Sequence, residues 1–232
     1  MTVTYKTALI VGAGNGISAS FARLLAQQGI AVALAARDTA KLAALVADTG
    51  ALALPVDAAD PTAVAGLFEA VERQLGVPDI VLYNASARTR GPFVDLDPAG
   101  VAHTLAVSAY GGFLVAQQAA RRMLVAGHGA ILFTGASASV KGYAQSAPFA
   151  MGKFALRGLA QSMARELAPK GIHVAHFVID GAVRSAARAE PAAAPDSQLD
   201  PDAIAQTYLQ VLQQPRNAWT WEVELRPWLE RF

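Results

Sequence analysis

The sequence predicts a single α/β domain built on a doubly wound parallel sheet and covering residues 1–232. Two patterns and one absence carry that expectation. Short, continuously apolar runs alternate with longer helical stretches, and strands apolar on both faces belong in a parallel sheet covered by helices on either side. A glycine-rich turn stands directly between the first apolar run and the first helical stretch. No internal repeat or linker breaks the alternation, and 232 residues are enough to bury one full core.

The elements follow in a regular order. Thr7–Val11 reads as the first strand, and residues 16–28 as a helix that Gly29 ends by taking a positive φ. Ala31–Ala35 is the second strand, followed by a helix over 39–48 that Gly50 closes. Leu52–Pro55 is the third strand, and Pro61, favoured in a first helical turn, opens a helix to Leu75. Ile80–Tyr83 is the fourth strand. A long helix over 98–126 is weakened in its middle by Gly111 and Gly112. A fifth strand over 130–134, a helix over 147–168, a sixth strand Ile172–Ile179, a helix over 202–213 and a seventh strand over 220–225 complete the chain. The irregular stretch 185–201, rich in Ala, Pro and Asp, falls at the carboxyl edge of the sheet, where a substrate lid or a solvated loop is expected.

Composition narrows the function. Hydrophobic residues make up 53% and charged residues 16%, which excludes a disordered chain. The mean hydropathy of +0.32 comes largely from alanine-rich helices, and no uninterrupted apolar run approaches the ~18–20 residues of a spanning helix. The start has no basic region leading into a long apolar one, so the expectation is a cytoplasmic protein without membrane partners. The absence of cysteine removes disulfides, thiolate catalysis and cysteine metal sites. A net charge of +1 gives no field suited to nucleic acid. His173 and His176, three apart on a strand, face opposite sides of the sheet, and no metal site is expected.

The glycine-rich turn is the first functional signal. In Gly12-Ala13-Gly14-Asn15-Gly16-Ile17, glycines permit a sharp turn and close approach to a pyrophosphate, and the free N–H groups opening the helix attract the anion. Its position between a strand and a helix points to a Rossmann-type dinucleotide site. The second strand ends in Ala35-Ala36-Arg37-Asp38. Ala36 stands where a carboxylate for the ribose 2′-hydroxyl is expected, and Arg37 suits a 2′-phosphate, which favours NADP. NAD stays open, with Asp38 taking the hydroxyl.

Together the segments resemble the short-chain dehydrogenase/reductase family over nearly the whole chain. The resemblance rests on Gly12-x-x-x-Gly16-Ile17, Asp57, Asn84-Ala85-Ser86, Phe149-x-x-x-Lys153 and Asp180-Gly181-Ala182-Val183. It implies an oxidoreductase acting on a small-molecule carbonyl or alcohol. It further implies that Asp57 contacts the adenine, that Asn84, Ala85 and Ser86 pack beside the adenosine ribose, and that the backbone at Gly181 and Val183 holds the nicotinamide carboxamide. Subunit contacts at the chain's end and along the helix carrying Lys153 are implied too. A homo-oligomer, dimer or tetramer, is therefore expected, with the aromatic tail of Trp219, Trp221, Trp228 and Phe232 buried.

The family's active site is a tetrad of Asn, Ser, Tyr and Lys, and this chain departs from it. Ser108 falls at the Asn position, Ala136 at the Ser position and Phe149 at the Tyr position; only Lys153 matches. A phenyl ring neither gives nor takes a proton. Ser137 and Tyr143 are the candidate stand-ins, with Lys153 binding the nicotinamide ribose or moving the proton itself. Asp180 is a candidate base or cation-binding group, or a cap for the turn that follows. Two functions remain: an atypical NAD(P)-dependent oxidoreductase, or a dinucleotide-binding protein with little or no catalysis that acts as a sensor or assembly subunit.

Overall fold

A computed structural model describes residues 4–185 and 188–230. Seven strands form one parallel sheet: β1 (Thr7–Val11), β2 (Ala31–Ala36), β3 (Leu52–Pro55), β4 (Ile80–Tyr83), β5 (Gly129–Thr134), β6 (Ile172–Ile179) and β7 (Glu222–Leu225). They lie in the order β3-β2-β1-β4-β5-β6-β7. The chain thus winds outward in one direction from β1 and then returns to wind in the other. The reversal between β1 and β4 opens a crevice at their carboxyl ends, where ligands of such sheets bind.

Both faces are covered. On one side α1 (Ile17–Gln27), α2 (Ala43–Thr49) and α7 (Pro201–Leu212) enclose a core with Phe21, Leu34, Phe177 and Tyr208. On the other, α3 (Pro61–Leu75), α5 (Gly111–Ala126) and α6 (Ala147–Leu167) enclose Phe68, Tyr83, Met123, Phe133 and Leu156. Capping follows the sequence. Asp60 accepts from the Thr62 and Ala63 amides ahead of Pro61, and Gly50 and Gly127 end α2 and α5 with left-handed backbones.

The long helix expected over 98–126 departs from a uniform α-helix. It is α4 (Pro98–Leu105), then a π-turn over Ala106–Tyr110, then α5. The π-turn leaves the Val107 carbonyl open to the buried Tyr83 hydroxyl, which donates to it. The glycines that follow are there for space. A Cβ on Gly111 would meet the Tyr83 hydroxyl at 2.5 Å and the Ala58 carbonyl at 2.6 Å, and one on Gly112 would meet Leu156 at 2.6 Å. By length and hydropathy residues 98–126 pass for a membrane span, yet α5 packs on the sheet and against α3.

One further expectation is corrected. The seventh strand starts at Glu222, since the Thr220 amide is bonded to the Gln214 side chain and the Thr220 carbonyl to His173. Trp219 stacks on His173 at 4.6 Å, and in the single chain Trp228 is 76% exposed, within a tight turn from Pro227 to Glu230. Phe232 lies outside the described residues.

Candidate active site

The crevice at the switch point opens into two adjoining clefts. The first, of about 410 Å³, is lined by Gly12, Ala13, Gly14 and Asn15 of the turn after β1, by Arg37, Asp38 and Lys41 after β2, by Asp57 after β3, and by Asn84, Ala85 and Ser86 after β4. Gly12 has φ +84°, and a Cβ there would overlap the backbone of Ala85, so only glycine fits. Asn84 turns its amide inward, donating to the Gly12 carbonyl (3.3 Å) and to the Ser18 hydroxyl (2.7 Å), which itself donates to the Gly12 carbonyl (3.1 Å). Ser18, at the position of a third glycine, thereby locks the turn. Gly16 caps α1 without a side-chain bond, Ile17 begins the helix, and no acidic residue occupies the first turn. The helix start therefore keeps its positive end for an anion.

At the far end of this cleft Arg37 has Lys41 beside it, a second cation that the glycine and ribose motifs gave no means of locating. Asp38 accepts from the Ala40 amide (3.1 Å) and pairs with Lys41 (3.2 Å), so its carboxylate is engaged within its own turn. Asp57 accepts from the Ala59 amide at 3.0 Å. A close-approach turn, an open helix start and Arg37 at the distal end, with Lys41 shared with Asp38, fit a dinucleotide with a 2′-phosphate.

The second cleft, of about 360 Å³, is lined by Arg88 and Arg90 after β4, by Ser137, and by residues 143–146 and Phe149. It brings Ser137 and Tyr143 together beside Phe149, near the amino end of α6. Lys153, one helical turn on, is only 3% exposed; its Nζ donates to the Thr134 carbonyl (2.7 Å) and lies 5.9 Å from the Phe149 ring centre. Burial, reinforced by the Arg88 guanidinium, pushes its pKa down to about 7. Gly16, Ile17, Lys153, Gly181 and Val183 stand outside the lining of both clefts. Val183 instead bridges to Leu199, and the Arg184 side chain pairs with Asp200, folding the irregular stretch back on itself.

The tetrad positions are filled in a consistent way. Ser108, in the π-turn, accepts from the Ala87 amide (3.1 Å) and donates to its carbonyl (3.3 Å), pinning the loop after β4. Gly152 of α6 lets that serine approach, since a Cβ there would sit 2.8 Å from Ser108 Cβ. Ala136 carries no hydroxyl, and its amide donates to Ser139 Oγ (3.1 Å). Ser139 is fully buried and lies 3.3 Å from His176 Nε2; His176 Nδ1 lies 3.1 Å from Glu222, which Arg157 grips through two bonds of 2.7 Å. Burial lowers the His176 pKa to about 4 despite the carboxylate beside it. This row joins residues far apart in sequence, and no local spacing announces it. Asp180, a candidate base, is instead 2% exposed and ion-paired with Lys141 (3.2 Å) and Arg226 (3.3 Å), so burial without partners would be costly and the pairing uses it up.

Comparison with known proteins settles the family. The family model for short chain dehydrogenases matches residues 6–195. This chain belongs to the short chain dehydrogenase family. Among its relatives, cis-4-hydroxycyclohexanecarboxylate dehydrogenase of Sinomonas cyclohexanicum is 32% identical over 174 residues, covering 73% of this chain and 70% of that one. A crystal structure of a short-chain dehydrogenase from Rhodopseudomonas palustris superposes with a TM-score of 0.84 at 34% identity, over 97% of this chain and 100% of the other. A metagenomic short-chain oxidoreductase in complex with NADP gives 0.85 at 28% identity, over 97% and 98%.

Proposed function

We propose that the short-chain dehydrogenase acts as an NADP(H)-dependent oxidoreductase on a small carbonyl or alcohol, with its proton chemistry moved from position 149 to the hydroxyls of Ser137 and Tyr143. The observation that supports this reading is the second cleft, which Ser137, Tyr143 and Phe149 line together. The bound cofactor supplies or accepts the hydride at the substrate carbon. In the reductive direction a hydroxyl of Ser137 or Tyr143 delivers a proton to the carbonyl oxygen and is re-protonated from water entering the open cleft, which yields the alcohol. Lys153 holds the nicotinamide ribose, while Arg37 and Lys41 receive the 2′-phosphate, a geometry that suits NADP over NAD. The family relationship and the NADP seen in the metagenomic relative support the cofactor assignment.

An apolar strip supports a homodimer. Met151 and Phe154 are about half exposed along one face of α6, and Tyr110 of the π-turn and Phe113 of α5, stacked at 6.2 Å, are exposed. A second copy of the chain covers this strip in the proposed assembly.

The test is a titration with NADPH and NADH followed by nicotinamide fluorescence and thermal shift, then a carbonyl screen. Tight NADPH binding, turnover with at least one carbonyl, and a loss of about 10²-fold in kcat on Ser137→Ala or Tyr143→Phe are expected. Absence of NADPH binding would overturn the reading.

A further inference from the structure

The loop after β4 presents two arginines to the second cleft in a way the hydride chemistry does not explain. In Ala87-Arg88-Thr89-Arg90, Thr89 turns away toward α4, where its hydroxyl donates to the Gly100 carbonyl (2.9 Å) and meets Thr104 Oγ1 (2.9 Å). Its neighbours Arg88 and Arg90 both line the cleft. The loop is then tied across the cleft's rim, the Gly91 amide donating to the Gln145 carbonyl (3.2 Å), and Gln145 holds a left-handed backbone at φ +58° to accept it. A non-glycine residue in that region is uncommon and is kept only where its surroundings fix it.

Arg88 is an exposed residue whose guanidinium is turned back onto the protein. Its guanidinium lies 4.0 Å from the centre of the Phe149 ring, close enough for a cation–π contact. That contact gives Phe149 a role of its own: the ring that lacks the hydroxyl is a platform that aims the guanidinium. Among the described residues no carboxylate oxygen lies within 4.0 Å of Arg88, Arg90 or Arg188, and the cleft lining contains no acidic residue. Of the acids in and beside the irregular stretch, Glu190 and Asp200 pair with Arg184, Asp180 pairs with Lys141 and Arg226, and Asp196 lines neither cleft. Partial burial together with Arg90 and Arg188 lowers the Arg88 pKa, and Arg88 in turn helps to lower that of Lys153. Like charges held this close, without counter-charge, await an anion.

We infer that the substrate carries an oxyanion, a carboxylate or a phosphate, which Arg88 and Arg90 bind in the second cleft with the reacting carbon placed between Phe149 and the Ser137 hydroxyl. The planar forks of two guanidinium groups match the paired oxygens of such a group. The inference rests on the oxidoreductase reading for its reacting carbon, but the anion site stands on binding alone.

The test therefore separates binding from turnover. With saturating NADP⁺, affinities are measured by calorimetry for 4-oxopentanoate and acetoacetate against their methyl esters, and for dihydroxyacetone phosphate against dihydroxyacetone. The same ligands are then offered with NADPH, and loss of nicotinamide absorbance is followed. At least one anion is expected to bind about tenfold or more tightly than its neutral counterpart. The advantage should shrink as salt is raised and vanish in Arg88→Met and Arg90→Met, which keep an apolar stem at exposed positions. Preference for the keto acids assigns a carboxylate, and preference for the phosphate ester a phosphate. Equal binding of anion and neutral partner, an advantage that survives both variants, or no binding of any ligand would overturn the inference. Arginine-dependent anion binding without NADPH consumption would sustain the site and count against the reductase reading; reduction of neutral ketones alone would do the reverse.

Discussion

At the first cleft the binding groups are largely backbone: a glycine turn held against Ala85, an open helix start, and an inward amide from Asn84 that closes the turn from behind. At the second cleft the groups are side chains, two arginines and the hydroxyl-bearing Ser137, Tyr143 and Ser146 around a phenyl ring. The first site is fixed by where the chain must run to make β1, α1 and β4, and tolerates few substitutions. The second sits on loops that follow β4 and β5, and its chemistry can be exchanged residue by residue without moving the sheet. Cofactor recognition and substrate chemistry thus occupy parts of the molecule with different freedom to change.

The largest effect should come from disturbing the rigid side. Gly12→Val forces a Cβ into the Ala85 backbone at a positive φ, so NADPH binding should be abolished and stability should fall by about 3 kcal/mol or more, read by thermal shift with and without NADPH. Retained NADPH binding would break the contrast.

Lys153 gives the next largest effect. Its pKa is near 7 in the fold and 10.5 as a free side chain, so between those pH values the unfolded chain binds the extra proton and stability rises with pH, by up to about 1.4 kcal/mol per unit. Below pH 7 both states are protonated and this contribution levels off. Lys153→Met should flatten the rise in urea midpoints measured from pH 7 to 10. His176, lowered to about 4, has its own rise at lower pH, between about 4 and 6.5, and should be unaffected by that change.

Changes at the loop-built side should act on rate and leave cofactor affinity alone. Phe149→Tyr restores a phenol one turn before Lys153 and should raise kcat for ketone reduction by about 10²-fold with an unchanged NADPH Kd. No gain would mean that the cleft has been reorganised around Arg88. Arg37→Glu is the mildest: NADPH affinity should drop about tenfold while NADH binding holds, which titration of both cofactors would show.

How much of this could be read from the sequence follows the same division. β1, β4 and β6 begin and end where expected because a strand buried on both faces has no other way to be built, and the partly buried edge strand β3 ends at Pro55. The glycine turn, Arg37, Asp57 and Asn84 were legible because each falls at the end of a strand in a fixed order, and all of them line one cleft. The π-turn was not, since it depends on Tyr83 reaching Val107 from a strand 24 residues earlier. Nor was the meeting of Arg88 with Phe149, made between the loop after β4 and the first turn of α6. Asp180 looked available in sequence only because its partners, Lys141 and Arg226, come from distant segments.

The buried row from Ser139 through His176 to Glu222 and Arg157 has a consequence for how such a site can drift. Glu222 only accepts, which sets His176 with its proton on Nδ1 and leaves Nε2 to receive the Ser139 hydroxyl, whose oxygen in turn takes the Ala136 amide. The path of the backbone at Ala136 is thus decided behind the cleft, by groups that never face a substrate. A hydroxyl can be lost or regained at position 136 while the loop keeps its course, so this scaffold holds its shape through a change of reagent there.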